Sequence, residues 1–164
     1  MSRGEVPEAP LPIIKKEPPR RSARCGEAPP PGLLAGIAQF NAGAYWECHE
    51  TLEELWRVEP DPVRYLYQGI LQVGVGFYHL RRGNYRGAVN KLAGGLAYLA
   101  PSVPACLGVD VARLRAEAGA VLAALSALGP ARLAEYDVSD LPRVWLVGEP
   151  VAARRQPGRE EPGR

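Results

Sequence analysis

The sequence predicts an all-α fold, a compact bundle of four to five helices with disordered tails at both ends. Three observations carry this. Apolar residues recur at helical spacing in successive segments between Gly32 and Gly148. Turn-forming residues such as Pro60-Asp61-Pro62 and Gly83-Asn84 separate those segments at short intervals. No alternation of strand period and useful length precedes Leu141.

Each element follows in order. Residues 1–31 are rich in Pro, Arg, Lys and Glu and nearly free of aromatic side chains. Such a stretch cannot bury enough apolar surface to offset its ordering entropy, and 149–164 reads the same way. The domain is therefore expected at 32–148. Leu33, Leu34, Ile37 and Phe40 make a short first helix, which Asn41-Ala42-Gly43 breaks. A second helix runs from about Ala44 to Val58. Asp61 and Pro62 suit the cap and first position of a third, which continues to about Arg82. Gly83-Asn84 turns into a fourth helix, Tyr85 to Leu99, closed by Pro101 and Pro104. Asp110 caps a fifth, Val111 to Leu128, ended by Gly129-Pro130. Leu141 to Val147 is apolar and lies extended over the bundle. Glycines in helices three and four (Gly69, Gly74 and Gly76; Gly87, Gly94 and Gly95) cost helix propensity and point to closely packed backbones.

Charge and cysteines narrow the classes. The net charge is +2, and the excess of Lys and Arg falls in the two tails. The middle offers no clustered positive face, so no nucleic acid is expected. The most apolar segment, Tyr65 to Leu80, is short for a bilayer span and carries Gln68, Gln72 and His79, so no membrane is expected either. Cys25, Cys48 and Cys106 are odd in number and far apart, matching neither a disulfide framework nor a zinc ribbon. The start has no apolar signal-peptide core, which makes a cytoplasmic location the expectation.

The chemistry concentrates on the second and third helices. On a helical wheel Tyr45, His49, Leu52 and Trp56 form one stripe, with Trp46 and Glu53 at its flank and Glu50 a step further round. Trp56 is expected in the core, where truncation to alanine would cost about 3–5 kcal/mol. His49 and Glu53 are one turn apart and can touch. The third helix carries Gln68, Gln72 and His79 on one side of an otherwise apolar surface, and buried amides and imidazoles need partners. A short loop makes the two helices antiparallel, bringing Glu53 near Gln68 or Gln72 and Tyr45 or His49 nearer His79.

Three readings stay open: a hydrogen-bonded network that fixes register, a metal or acid–base site, and a ligand or protein contact. In the second, His49, Glu53 and His79 would hold a divalent metal. Glu50 or Glu53 would act as general base and Gln72 as the orienting donor. His49-Glu50-Thr51-Leu52-Glu53 matches the zinc-protease pattern only at its start, since Glu53 stands where a second histidine is required.

The combined pattern Phe40-Asn41, Gly43, Tyr45, His49-Glu50, Glu53, Trp56, Gln68-Gly69, Gln72, His79, Arg82-Gly83-Asn84 and Gly87-Ala88 resembles the bacterial and plastid family called domain of unknown function 309. The resemblance runs from about Phe40 to Leu99. It implies a small all-helical fold and no established activity, with shared polar positions at His49, Glu50, Glu53, Gln72 and His79. A second pattern, Tyr78, Gly83-Asn84-Tyr85, Ala88 and Leu92, looks like the turn of a tetratricopeptide repeat. That resemblance implies a non-enzymatic, peptide-binding helical scaffold or interaction module. The aromatic and glycine-rich helix faces are expected to make its contacts, with a homo-oligomer or another protein as partner.

Overall fold

The computed structural model describes residues 17–149. Its helices are α1 Pro31–Asn41, α2 Tyr45–Val58, α3 Arg64–Arg81, α4 Tyr85–Leu99 and α5 Val111–Leu128. Short 3-10 turns, Ala100–Ser102 and Pro130–Glu135, follow α4 and α5. The all-α class is as expected. Among the described residues, no helix is long and apolar enough to cross a membrane.

Local chemistry sets the boundaries. Asn84 Oδ1 accepts the Gly87 N–H at 2.9 Å, and Asp110 Oδ1 accepts the Arg113 N–H at 3.1 Å, so both polar caps form. Asp61 Oδ1 instead accepts from Val63 N–H. The chain then makes two tight turns, Arg64 N–H to the Asp61 carbonyl and Tyr65 N–H to the Pro62 carbonyl, before α3 becomes regular. Gly43 and Gly83 have φ of +77° and +72°, and each is followed by one residue and then by the tyrosine that opens the next helix. Only glycine enters this region without steric cost, so the α1–α2 and α3–α4 hairpins share one turn design. A repeat array would continue it; here a β-hairpin precedes α5 instead.

Each helix packs chiefly on its chain neighbour. The centre is α3, buried nearly all round, with Leu66, Ile70, Val73 and Phe77 sealed from solvent. The close approach of α3 to α4 depends on glycine. A Cβ at Gly69 would come 2.6 Å from the Leu99 side chain, and one at Gly95 would come 3.0 Å from the Gly69 carbonyl oxygen.

Three features depart from expectation. A hairpin, β1 Ala105–Cys106 paired antiparallel with β2 Val109–Asp110, sits between α4 and α5. Its turn residues Leu107 and Gly108 both have positive φ, as tight two-residue connections require. Strands this short leave no alternation to read. Cys25 and Cys106 form a disulfide across 81 positions, although their number and spacing match no disulfide framework; separation along the chain does not report proximity in space. Finally, residues 17–30, expected within a structureless tail, lie as a strap along the domain. Arg21 donates to the Val103 and Ala105 carbonyls, the Leu107 N–H donates to the Cys25 carbonyl, and Arg24 pairs with Glu59 at 3.1 Å. Ser22, buried, donates to Asp61 in the α2–α3 loop. Polar and covalent anchors replace the apolar burial that the segment's composition lacks. The rest of the expected tails, residues 1–16 and 150–164, lies outside the described residues.

Candidate functional site

Helices α2 and α3 run antiparallel. Trp46, near the start of α2, packs on Tyr78 near the end of α3 with ring centres 5.4 Å apart. At the other end the Arg64 guanidinium lies 4.7 Å over the Trp56 ring. This register brings Glu53 level with Gln68 and Gln72. A recess of about 240 Å³ opens there, lined by His49, Glu53, Gln68 and Gln72, with Trp56 at one side and Lys91 of α4 at another.

The buried residues of α2 are Tyr45, Cys48 and Leu52. The core stripe is thus rotated toward Cys48, and His49 and Trp56 stand at its edge, half-buried. That rotation opens the recess to solvent. His49 Nε2 lies 3.4 Å from Glu53 Oε2, and Glu53 Oε1 accepts from Arg57 Nη2 at 3.2 Å. His49 Nδ1 is buried without a hydrogen-bond partner among the described residues, and its ring packs at 4.8 Å on Trp46. Gln72 reaches across to α4, where a Cβ at Gly94 would collide with its amide oxygen. The recess therefore offers a carboxylate, an imidazole, two carboxamides and an ammonium. Such a set can bind a small polar molecule through donors and acceptors together, and His49 and Glu53 can exchange a proton.

Two expected members stand elsewhere. Glu50 is exposed on α2 and does not line the recess. His79 sits at the α3–α4 turn, its Nδ1 3.3 Å from Asn84 Nδ2. It shares a stripe with Gln72 but lies about 10 Å further along the axis at 1.5 Å per residue. Burial, followed by the charges of Lys91 and Arg82, holds its imidazole below the ordinary range. A neutral ring fits an Nδ1 that accepts from the Asn84 amide. Among the described residues, no group of three or more His, Cys, Asp and Glu is placed to hold a metal ion. The expected trio of His49, Glu53 and His79 is not assembled.

Sequence reasoning missed Lys91, Arg64 and Asn41. Lys91 reads as an ordinary solvated position of α4. Arg64 carried a usable signal, because a cation in the first turn of a helix opposes the helix dipole. Asn41 reads as a helix breaker, yet its side chain bonds the backbone of Val144 in both directions.

Fold and recess together define a small all-helical domain with a polar cleft between its second, third and fourth helices. Residues 33–90 match the model of the family described as Domain of unknown function (DUF309), the family that the motif resembles. The match contains His49, Glu50, Glu53, Gln72 and His79. The chain is also 37% identical over 89 residues to the uncharacterized protein YpuF of Bacillus subtilis (strain 168), an alignment covering 52% of this chain and 51% of that protein. The chain thus spans about half the length of the curated relative it matches, 51%.

Proposed function

We propose that the protein is a helical binding module whose α2–α3–α4 recess takes a small polar molecule. Glu53 accepts hydrogen bonds from the occupant, His49 is the proton carrier beside it, and Gln72 orients the occupant from α3. The observation that carries this is the convergence of His49, Glu53, Gln68, Gln72 and Lys91 on one open recess. A network that served only helix register would pair these groups with one another. Among the described residues, the ion pairs of the recess join Glu53 to His49 and to Arg57, and leave Gln68, Gln72 and Lys91 out.

The test is a screen of amino acids, amides and sugars followed through the side-chain amide signals of Gln68 and Gln72. At least one class moves both signals, and the movement disappears in Gln72→Leu. If no class moves them at millimolar concentration, the recess is a packing network and the reading fails.

A second reading, contact with a protein partner or a second copy, has one observation in its favour. Trp46 is 46% exposed while packed on His49 and Tyr78, which makes a firm aromatic platform at the surface. Size-exclusion chromatography of the protein and of Trp46→Ala tests self-association; two identical monomer profiles would remove a second copy as the partner. A cytoplasmic location fits this protein only with Cys25 and Cys106 as free thiols there, because disulfides persist in oxidising compartments and are reduced in most cytoplasms.

A further inference from the structure

Beyond the His49 recess, on the far side of Trp56 and Gln68, lies a larger cavity of about 750 Å³. This is the size of a pocket for a small organic ligand. Its walls are aromatic: Trp56 from α2, and Tyr65 and Tyr98, whose rings stack from α3 and α4 with centres 6.2 Å apart and planes 15° apart. Gly94 and Ala97 form the α4 side, so no bulky side chain fills the space. Two charged residues line it, the buried Arg64 and the exposed Glu17, which stands beside Pro18 and Pro19 of the strap.

Arg64 is only 7% exposed. Its guanidinium rests on the Trp56 ring, and its Nε and Nη2 are buried without a hydrogen-bond partner. A buried guanidinium with idle donors is costly unless an acceptor meets it, and a ring face offsets only part of that cost. Asp61, the nearest acid before it in sequence, is already engaged by Ser22 and the Val63 N–H. Glu17, an exposed carboxylate that also lines the cavity, makes no hydrogen bond to Arg64 Nε or Nη2 either, so both donors are free for an acceptor that enters the cavity.

We propose that this cavity binds a molecule with a flat apolar body and a single oxyanion, the anion meeting Arg64 and the body lying between Trp56, Tyr65 and Tyr98. Guanidinium donors match carboxylate and phosphate geometry, and flat rings match the aromatic walls. The Nε–Nη2 edge is buried. A two-point grip turns the guanidinium on its last torsions, partly off Trp56.

Calorimetric titration of the full chain with three probes of one ring system tests this: 2-naphthoate, 2-naphthyl phosphate and the uncharged 2-naphthamide. At least one anion binds, and the amide binds about tenfold or more weakly, as loss of a charge-assisted hydrogen bond requires. The tighter anion tells a carboxylate ligand from a phosphate ester. In Arg64→Met the preference for the anion disappears. In Ala97→Leu, an exposed α4 position where the larger side chain fills the cavity and leaves Arg64 in place, all three probes weaken. Failure of both anions to bind overturns the proposal, as does equal binding of anion and amide. An anion preference that survives Arg64→Met also overturns it. Should Arg64→Met fail to fold, Ala97→Leu decides, and unchanged binding there refutes the site.

Discussion

The side chain of Asn41 and the backbone of Val144 hold each other by two hydrogen bonds. Asn41 Nδ2 donates to the Val144 carbonyl at 2.9 Å, and the Val144 N–H donates to Asn41 Oδ1 at 2.8 Å. The carboxamide acts as one residue of an adjacent strand would, and ties the C-terminal segment to the end of α1. Val144 is buried, so water cannot readily replace either bond. Asn41→Ala should lower the free energy of unfolding by about 2–3 kcal/mol in urea titration. Asn41→Asp keeps the acceptor but sets a carboxylate against a carbonyl, and should not restore stability. A loss below about 0.5 kcal/mol in the alanine variant would mean that apolar burial alone holds the segment.

The helices were legible because their signals are local. Asn84 and Asp110 announce caps, and Gly43, Gly83 and Gly129 mark stops. Half of the candidate site was legible for the same reason. His49 and Glu53 are one helical turn apart, and the antiparallel register that brings Gln72 to them follows from a short loop. What stayed hidden depends on long-range partners. Nothing near Cys25 points to Cys106, and nothing near Asn41 points to Val144. The site's other half is a matter of distance along an axis: the antiparallel order sets His79 toward the start of α2, but its two turns beyond Gln72 carry it to the α3–α4 turn, beside Asn84 and outside the recess.

The disulfide closes a loop across 81 positions. In the chain-entropy picture, a link of that span stabilises by about 4 kcal/mol through the unfolded state. Reductant should therefore lower the thermal midpoint of the full chain and leave that of Cys25→Ala/Cys106→Ala unchanged. Equal midpoints with and without reductant would mean that the strap is held by its polar anchors alone.

Cys48 makes a different prediction. It is fully buried on α2, and burial pushes its thiol up to about 12, although a backbone hydrogen bond with Phe40 acts in the opposite direction. The thiolate is the reactive form. The native oxidised protein should therefore show no thiol reacting with a disulfide reagent at about pH 8. The same protein unfolded without reductant should show one, and all 3 cysteines should react once it is reduced. Fast native labelling of Cys48 would contradict its packing against the α1 end.

His79 supplies a pH dependence. Burial and then the charges of Lys91 and Arg82 lower its affinity for a proton in the folded state, below the ordinary 6.5. As pH falls, the unfolded chain takes up the proton first. The His79 contribution is fully present above 6.5 and is lost as pH drops from there toward the depressed folded value. Stability should thus fall between about pH 8 and about pH 5 more steeply in the native sequence than in His79→Gln, whose amide oxygen can still accept from Asn84. An imidazole signal of His79 titrating above 6.5 would reverse the argument.

Trp56 and Trp145 separate core from cleft. Both lie under a guanidinium: Arg64 at 4.7 Å over Trp56, and Arg113 at 4.1 Å over Trp145. Trp145 is 4% exposed, whereas Trp56 is half-buried and walls both cavities, not the core as its wheel position suggests. Truncating Trp145 opens a void inside packed structure and should cost about 3–5 kcal/mol. Truncating Trp56 mostly enlarges a space already open to solvent, and should cost only about 1–2 kcal/mol, with much of that coming from a guanidinium that loses its ring. Urea unfolding of the two alanine variants measures the difference. A cost for Trp56→Ala as large as that for Trp145→Ala would place Trp56 in the core and close the recess that His49, Glu53 and Gln72 line.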